Sequence, residues 1–318
     1  MIISITHEHD LDGIGSQAIL KRYFDLHFEE ESPKFIQHFA HYLDFVEKVK
    51  NISKLDPIPT KLIITDIGFN EDFQDLFLLF EDLKKKGANI FWFDHHIVNS
   101  EIKDKIMSSI FLYLNDPLKC AAEIVKDYYL PNDTVALKIA ELARDSDFKT
   151  NKFLFAGELQ LIIGYNRGED KYKEKIKLVS LLSKGAFQDP WFRAQLDDLQ
   201  TWFKEESAFA LNHIEFVNIE YFGNLAISFA RISGGKITDI IKANYPNMKV
   251  YIGIDTRFNE IIISSDYINC RDFALEFGGG GHKPRAGFKY SKIFSGKQAI
   301  NPQFIQDIKR KLRKIQNN

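Results

Sequence analysis

A carboxylate and two imidazoles stand together at Asp94, His95 and His96, directly after the strand-like run Asn89–Phe93. The Phe, Trp and Ile side chains of that run are typical of a strand buried on both faces of a sheet. In open parallel sheets, ligands bind outside the carboxyl ends of the strands. These three residues therefore suit a metal site at the rim of a sheet. Asp is also a favoured helix N-cap, so this stretch alone leaves a capping role for Asp94 open.

Two other strand-like runs end in the same kinds of residue. Met1–Ile5 is followed closely by two histidines and two aspartates, and Leu62–Thr65 is followed directly by Asp66. If the three strands run parallel, their carboxyl ends lie on one edge of the sheet and the polar clusters converge there. The ligand candidates that these strands supply are His7, Asp10, Asp12, Asp66 and His95.

This set of residues mixes oxygen and nitrogen donors. Asp10 and Asp12 are two positions apart, so in an extended segment their side chains would point the same way. The mixture suits Mn²⁺, with Mg²⁺, Fe²⁺ and Co²⁺ as alternatives, better than Ca²⁺ or a thiolate zinc site. Crowded carboxylates repel one another unless cations neutralise them. Two metal ions about 3.5–4 Å apart, bridged by one carboxylate, would generate hydroxide and clamp a phosphate.

Composition excludes several classes of protein. The chain has 318 residues, enough for two domains or one large one, and its 28 Phe residues readily supply buried cores. A formal net charge of −2 gives no global basic field, so long nucleic acid is not an expected partner. Two cysteines cannot build a disulfide framework, which fits a reducing compartment. Because we find neither a signal peptide nor an apolar run of roughly 20 residues, we expect a cytoplasmic protein without a membrane partner.

The order of predicted elements indicates an α/β fold with two domains. Strands and helices alternate over residues 1–130, which predicts a parallel sheet with helices on both faces. Helical patterns dominate from Cys120 to Leu211, and the last hundred residues return to mixed structure. The predicted divisions are a metal-binding catalytic domain over 1–167, a helical connector over 168–212, and a smaller mixed α/β substrate-binding domain over 213–318.

Three local patterns predict where elements begin and end. Asn70–Lys85 is an amphipathic helix with Asn70 as its predicted N-cap. A helix over Asp133–Arg144 should end just before Asp145 and Asp147. The runs 215–221 and 225–231 predict a hairpin that turns at residues 223–224.

These motifs together resemble the DHH phosphoesterase family. Its motifs match, in chain order, Asp10–Gly13, Thr65–Asp66, Asp94–His96, and an Asp after the helix that ends near Arg144. The glycine-rich stretch 278–288 resembles the signature of the DHH-associated C-terminal domain, as found in the branch of nanoRNases and oligoribonucleases. The resemblance covers both ends of the chain and leaves the helical connector outside it.

The resemblance implies a role for each motif residue. Asp66 would bridge two metal ions, and Asp10 would bind one of them. Asp12, His95 and Asp147 would bind the other, with Asp145 as the alternative to Asp147. His96 would contact the substrate phosphate, and Asp94 would orient a neighbouring histidine.

The first histidine ligand departs from the family pattern. The family usually places it two or four residues before the first Asp, whereas His7 precedes Asp10 by three residues and His9 is adjacent to it. A residue adjacent to Asp10 would point to the opposite side of an extended chain. His7 also lies nearer the end of the strand. We therefore favour His7 as the ligand and keep His9 as the alternative.

The glycine-rich stretch is interpreted as a phosphate clamp. Glycines let backbone N–H groups approach an anion closely, and a histidine with Lys283 or Arg285 can pair with phosphate. Many relatives carry an Arg in the strand where this chain has Ile261–Ser265, so Arg257 and Arg285 are the candidates to replace it. The predicted substrate-binding residues are Gly279, Gly280, Gly281, His282 and Arg285.

The predicted function is Mn²⁺-dependent phosphoester hydrolysis of a short oligoribonucleotide or small nucleotide, in a cleft between the two domains. Within the family we favour a 3′–5′ exonuclease acting on nanoRNA, with phosphatase activity on adenosine 3′,5′-bisphosphate as a second expectation. A cyclic dinucleotide phosphodiesterase is the nearest alternative, and an inorganic pyrophosphatase is a more distant one. A non-catalytic nucleotide-binding sensor is the alternative from another class. A monomer and a homodimer both remain open.

Overall fold

The computed structural model describes residues 1–28, 34–70, 73–220, 222–296 and 299–316, which form two compact units, Met1–Asp197 and Asp198–Asn318. Tyr221 of the predicted hairpin, and Glu71 and Asp72 of the helix predicted over 70–85, lie outside these residues. No helix in the described ranges is both long and apolar enough to cross a bilayer. Cys120 and Cys270 are both buried free thiols. This agrees with the prediction that two cysteines do not build a disulfide framework.

A five-stranded parallel sheet forms the centre of the first unit. Its strand order is β2-β1-β3-β4-β5, so the chain reverses its direction of winding between β1 and β3. Such a topological switch point is where ligands bind in open α/β sheets. The strands are β1 (Ile2–His7), β2 (Phe35–Ala40), β3 (Lys61–Thr65), β4 (Asn89–Asp94) and β5 (Leu112–Asn115).

Helices cover both faces of this sheet. One core contains residues of α1 and α5–α8, and a second core contains residues of α2, α3 and α4. The helices of this unit are α1 (Leu11–His27), α2 (Phe45–Ile52), α3 (Asp75–Lys85), α4 (Ser100–Ser109), α5 (Ala121–Tyr129), α6 (Thr134–Asp147), α7 (Leu154–Tyr165) and α8 (Tyr172–Ser183).

The unbroken apolar runs of the strands follow from burial on both faces. Along β4, Phe91 and Phe93 enter the core with α1, whereas Ile90 and Trp92 enter the core with α3. This alternation is the period of two expected of a strand. The predicted α/β fold, with a parallel sheet covered on both faces, is confirmed.

Two predicted helix ends are wrong. Helix α3 begins at Asp75 with Gln74 at its N-cap, so Asn70 does not cap it. Helix α6 continues to Asp147, so Asp145 and Asp147 belong to its last turn. Helix boundaries are set by tertiary contacts as well as by local sequence, which explains shifts of this size.

The second unit contains a six-stranded mixed sheet of order β10-β11-β9-β8-β7-β6, in which only β7 and β8 pair in parallel among the described strands. Two further cores lie against it. The elements are α9 (Pro190–Asn212, which crosses the boundary between units), β6 (Glu215–Ile219), β7 (Gly223–Ala230), α10 (Gly234–Asn244), β8 (Val250–Asp255), β9 (Glu260–Ser264), α11 (Cys270–Leu275), β10 (Gly280–His282), β11 (Arg285–Lys289) and α12 (Pro302–Gln316).

The predicted antiparallel pairing of β6 with β7 is confirmed, but β7 already includes the residues at which the turn is predicted. The predicted connector over 168–212 corresponds to α8 and α9. Leu178, Val179 and Leu182 of α8 are buried in a core of the first unit, and the boundary between units falls inside α9. The functional division into catalytic domain, connector and substrate-binding domain stays a prediction.

Candidate metal centre

The start of α1 positions two of the predicted carboxylates. Asp10 is the N-cap of α1, with extended backbone angles, and its Oδ1 accepts a 3.0 Å hydrogen bond from the Gly13 amide. Asp12 lies in the first helical turn. The expectation that both side chains project from one extended segment is therefore wrong. They reach the same rim because one caps the helix and the other lies inside it.

Asp12 is anchored by the first residues of α5. Its Oδ2 accepts a 2.7 Å hydrogen bond from the Ala121 amide, and its Oδ1 accepts one of 2.7 Å from the Ala122 amide. Backbone N–H groups at a helix start favour a negative charge. Burial and the nearby charge of Asp66 nevertheless raise the pKa of Asp12 well above its ordinary value. The carboxylate is thus fixed in orientation and needs a neighbouring cation to ionise easily.

Asp66 lies between two groups of possible ligands. It follows β3 with a φ of 56°, in the left-handed region that non-glycine residues rarely adopt. Its Oδ2 lies 3.6 Å from His7 Nδ1, and its Oδ1 lies 3.5 Å from His95 Nε2. Strained backbone of this kind persists where the surrounding structure imposes it, which is common at functional sites. In this conformation the Asp66 carboxylate lies between His7 on one side and His95 on the other.

The first group consists of His7, Asp10 and Asp66, which offer ligand atoms within 4.8 Å of one another. His7 Nδ1 lies 2.7 Å from Asp10 Oδ2. Burial opposes protonation of His7, but the neighbouring carboxylates of Asp10 and Asp66 raise its pKa to about 10. An imidazole nitrogen that meets two carboxylates at these distances is arranged as a set of metal ligands would be.

The second group consists of Asp12, His95 and Asp147, with ligand atoms again within 4.8 Å. His95 Nε2 lies 3.6 Å from Asp12 Oδ2, and His95 Nδ1 lies 3.7 Å from Asp147 Oδ2. Burial, and then the charge of Asp10, raise the pKa of Asp147. Asp66 belongs to the first group and lies beside the second, because its Oδ1 is 3.5 Å from His95 Nε2. A third set of ligand atoms within 4.8 Å of one another consists of Asp66, His95 and His96.

The alternative ligand Asp145 lies in the same turn of α6 but has other partners. Its Oδ1 accepts hydrogen bonds from Thr150 Oγ1 at 2.5 Å and from the Lys152 amide at 2.7 Å, and its Oδ2 accepts one from the Phe153 amide at 2.9 Å. These bonds hold the loop between α6 and α7. The geometry therefore favours Asp147 over Asp145 as the ligand.

The alternative ligand His9 also points elsewhere. Its ring lies against that of His41, with centroids 4.3 Å apart, and its Nε2 lies 3.7 Å from Glu8 Oε1. His7, by contrast, faces Asp10 and Asp66. The geometry thus favours the predicted choice of His7.

His96 and Asp94 form a pair beside these groups. His96 Nδ1 lies 2.8 Å from Asp94 Oδ1, and Asp94 is buried at the end of β4. Burial opposes a charged imidazole, but Asp94 raises the pKa of His96 to about 9. This arrangement agrees with the predicted role of Asp94 as the residue that orients a histidine. A capping role for Asp94 does not arise, because it is the last residue of β4.

Sequence reasoning missed the contribution of β2. Tyr42 follows this strand, accepts a 3.3 Å hydrogen bond from the Gly68 amide, and places its hydroxyl 3.3 Å from His96 Nε2. Gly68 itself is required, because a Cβ there would lie 2.7 Å from His96 Cγ. The signal is present in the sequence, since the strand-like run 34–40 ends directly before His41 and Tyr42.

The predicted phosphate clamp belongs to the second unit. β10 pairs with β11 through a tight turn, and Arg285 donates a hydrogen bond to Asp239. Two of these positions require glycine for structural reasons. A Cβ at Gly279 would lie 2.2 Å from the Gly287 carbonyl oxygen, and Gly281 has a φ of 138°, a conformation that other residues rarely adopt. Gly280 and His282 are exposed. The substrate-binding role of this stretch stays a prediction.

The ligand chemistry of the first unit fits divalent cations. Asp66 Oδ2 is buried and has no hydrogen-bond partner among the described atoms. A buried carboxylate oxygen without a partner is costly unless a cation neutralises it. With imidazole and carboxylate donors in two groups, and with Asp66 in one group and beside the other, the residues present suit two such ions.

The fold and the assembled residues define a candidate site for divalent cations at the carboxyl edge of a parallel sheet. Residues 1–145 match the DHH family, N-terminal domain. The predicted resemblance is confirmed at this level. The C-terminal domain and the nanoRNase branch are not tested by this match, which ends at residue 145.

Comparison with solved structures finds a similar fold at low sequence identity. The chain is similar to the DHH domain of a protein described as belonging to a family of ribosomal proteins, with 15% identity, a TM-score of 0.56, and coverage of 98% of this chain and 86% of the other. A pGpG-specific phosphodiesterase from Vibrio cholerae is 15% identical with a TM-score of 0.49 (coverage 100% and 99%). An uncharacterized protein from Helicobacter pylori is 16% identical with a TM-score of 0.46 (coverage 100% and 99%). A comparison with curated proteins found no match.

The two candidate histidines can be separated by their effect on metal binding. We expect His7→Ala to weaken Mn²⁺ binding at least about tenfold, because His7 faces Asp10 and Asp66 at 2.7 and 3.6 Å. His9→Ala is the matched control and should change the dissociation constant much less. Calorimetric titration with Mn²⁺ measures both. The reverse order would identify His9 as the ligand.

Proposed function

We propose that the protein is a Mn²⁺-dependent phosphoesterase that hydrolyses short nucleotide substrates with two metal ions. The single observation that carries this proposal is the position of Asp66, whose two oxygens face His7 and His95 in separate ligand groups. His7 and Asp10 would hold one ion, and Asp12, His95 and Asp147 the other, with Asp66 shared. Such a pair of ions supplies a nucleophile from water at neutral pH and neutralises charge on the phosphoryl oxygens.

His96 is the group of this chain best placed to act on the substrate. Its Nδ1–H donates to the buried Asp94, which fixes the ring and favours the charged imidazole. Its Nε2 lies beside the Tyr42 hydroxyl, and the imidazole is 41% exposed. We infer that a substrate phosphate takes the position next to Nε2. There the imidazolium can stabilise the charge of the transition state and donate a proton to the leaving oxygen.

Short substrates fit the charge of the chain. A formal net charge of −2 gives no global positive field to attract long nucleic acid. We therefore infer a 3′–5′ exonuclease that acts on very short RNA. Adenosine 3′,5′-bisphosphate is a second substrate in this proposal, because its 3′-phosphomonoester occupies the same ribose position as the phosphodiester of a dinucleotide.

A substrate panel tests this function. With Mn²⁺ present, a labelled diribonucleotide should be converted to mononucleotides, and adenosine 3′,5′-bisphosphate should release phosphate. A cyclic dinucleotide should be cleaved more slowly than the linear one. No product from any of the three, with the nucleotides still bound, would identify a sensor rather than an enzyme.

We also propose that residues 279–285 bind the far end of the substrate. His282→Ala and Arg285→Ala should each raise KM for a dinucleotide about ten- to a hundredfold, the loss expected for a charge-assisted hydrogen bond to phosphate. Interactions made equally in ground and transition states affect binding rather than the chemical step. Hydrolysis of bis-p-nitrophenyl phosphate, which lacks that far end, should change little.

Lys289→Ala is the matched control for that experiment, because it removes an exposed positive charge from the same strand. It should leave KM for the dinucleotide near the wild-type value. Equal damage to both substrates by His282→Ala would mean that His282 acts on the reacting phosphate itself. The proposal that residues 279–285 bind the far end of the substrate would then be wrong.

A further inference from the structure

Two buried threonines lie at the ends of the strands that lead into the candidate metal centre. Thr6 and Thr65 are register partners on the neighbouring strands β1 and β3, and both side chains are fully buried. They lie on the face of the sheet where Ile2 and Ile63 belong to the core with α1. A hydroxyl in such a core is costly unless it is hydrogen-bonded. The presence of two hydroxyls here therefore depends on the bonds that they make.

The two hydroxyls form a hydrogen-bonded chain from β3 to the start of α1. Thr6 Oγ1 lies 2.7 Å from the Gly13 carbonyl oxygen, and Thr65 Oγ1 lies 2.8 Å from Thr6 Oγ1. Because a carbonyl oxygen can only accept, Thr6 donates its single proton to Gly13, and Thr65 then donates to Thr6. The direction of both bonds is fixed, so neither hydroxyl can rotate away without leaving a buried polar atom unpaired.

Gly13 connects this chain to the carboxylates of α1. Its carbonyl oxygen accepts from Thr6, and its amide donates to Asp10 Oδ1 at 3.0 Å. Its backbone also packs directly on β1, since a Cβ at this position would lie 2.1 Å from the His7 carbonyl oxygen. Asp12 precedes Gly13 in the first turn of α1. The position of Gly13 thus determines where Asp10 and Asp12 lie relative to β1.

Thr65 connects the chain to Asp66, the carboxylate between the two ligand groups. Thr65 is the last residue of β3, and Asp66 follows it with a φ of 56°. The Asp66 amide donates a 3.0 Å hydrogen bond to the Phe93 carbonyl oxygen, which ties this residue to β4. The Thr65 hydroxyl supplies the corresponding tie toward β1 and α1. The carboxylates that come from α1 and from β3 are therefore linked through two short bonds between buried atoms.

We propose that Thr6 and Thr65 are positioning residues that set the separation of the two metal ions. The chain from Thr65 through Thr6 to Gly13 holds Asp66 at a fixed distance from the two carboxylates at the start of α1. Both threonines act through these carboxylates rather than on the substrate. This inference rests on the proposed two-metal function, and it gives a role to the threonine of the Thr65–Asp66 motif.

Thr65→Val tests this role, because valine keeps the branched shape of the side chain and removes the hydroxyl. Thr6 can still donate to Gly13 in this variant, so no buried donor loses its acceptor. Calorimetric titration of the metal-free protein with Mn²⁺ should show at least one ion bound about ten- to a hundredfold more weakly, the loss typical of removing a group that orients a metal ligand. Electron paramagnetic resonance of the Mn²⁺-loaded protein should show a changed magnetic coupling between the ions. Thr65→Ser keeps the hydroxyl and should restore the affinity and the coupling.

Thr238→Val is the matched control. Thr238 of α10 is 1% exposed, and its Oγ1 donates to the Gly235 carbonyl oxygen at 2.8 Å. This variant loses a buried bond of the same kind in the second unit, so thermal unfolding should show a similar loss of stability, whereas Mn²⁺ affinity and coupling should keep their wild-type values. Thr65→Ala places no methyl group against the Thr6 oxygen and is the second variant if Thr65→Val does not fold.

A loss of stability alone in the Thr65 variants, with wild-type Mn²⁺ affinities and coupling, overturns the proposal. A wild-type protein that binds fewer than two Mn²⁺ ions overturns it as well. Failure of the proposed function has a different signature, because a labelled diribonucleotide would then give no product with Mn²⁺ even though Thr65→Val changes metal binding.

Discussion

Asp66→Asn is expected to lower kcat/KM by more than about a hundred- to a thousandfold, the loss typical of removing one preorganised electrostatic group. The two oxygens of Asp66 face His7 and His95 at 3.6 and 3.5 Å, so a neutral amide cannot serve both ligand groups as an anion does. The fold should survive. Asn tolerates the left-handed conformation that Asp66 adopts at φ 56°, and the change removes a repelling buried charge.

The control for this prediction is Asp116→Asn. Asp116 follows β5 at the same rim of the sheet, but its Oδ1 accepts a hydrogen bond from the Leu118 amide and it lies outside both ligand groups. This variant should keep most of the activity. Thermal unfolding of the metal-free proteins should show Asp66→Asn at least as stable as the wild type. Near-wild-type turnover in Asp66→Asn would contradict a bridging role for this carboxylate.

Gly68→Ala should reduce kcat about a hundredfold, since a displacement of about 1 Å in a reacting group can cost that much. A Cβ at position 68 would lie 2.7 Å from Cγ and 2.8 Å from Cβ of His96. The imidazole must therefore move, and its contacts with Asp94 and Tyr42 would be lost. Mn²⁺ binding should change less than turnover, because His96 is not among the proposed ligands.

Gly157→Ala is the matched control, in which the same methyl group is added to a glycine of α7. Apart from its chain neighbours and the backbone of its own helix, no described atom lies within 4 Å of the new Cβ. It should leave turnover unchanged and raise the free energy of unfolding by about 0.5–1 kcal/mol. Steady-state kinetics and thermal unfolding of both variants measure these effects. If Gly68→Ala keeps the wild-type kcat, His96 does not act on the substrate in the position described.

The fold of the first unit could be predicted from sequence because each of its central strands is buried on both faces. Such strands must be continuous apolar runs, as Leu62–Thr65 and Asn89–Phe93 are, and they end where the polar residues begin. The parallel arrangement then brings Asp66 and the histidines after β4 to one edge. Convergence of the predicted ligands into two groups follows from this local pattern and from one rule of topology.

Features that depend on non-local packing could not be predicted in the same way. Asp12 is oriented by amides of α5, more than a hundred residues later in the chain, and the argument from extended spacing missed this. The partnership of Lys175 with Glu8 is equally distant. His41 and Tyr42 join the site only because β2 lies next to β1 rather than next to β3. The apolar pattern of a single strand does not determine the order of the strands in the sheet.

The glycine-rich stretch shows a different limit of sequence reasoning. Glycine is needed both where a backbone approaches a ligand and where it approaches another strand. At Gly279 and Gly281 the structure provides the second reason, since each lies against β11. Arg285 is engaged by Asp239 in the same unit. The clamp role therefore depends on the KM measurements for His282→Ala and Arg285→Ala.

The central claim is that Asp66 lies between two metal ions. It is tested most directly by counting the Mn²⁺ ions bound per chain, with calorimetric titration of the metal-free protein and anomalous diffraction from Mn²⁺-soaked crystals. The wild-type protein should bind two Mn²⁺ ions, one beside His7 and Asp10 and one beside Asp12, His95 and Asp147, and Asp66→Asn should bind fewer. A single ion at saturating Mn²⁺, or two ions that Asp66 does not contact, would contradict the account.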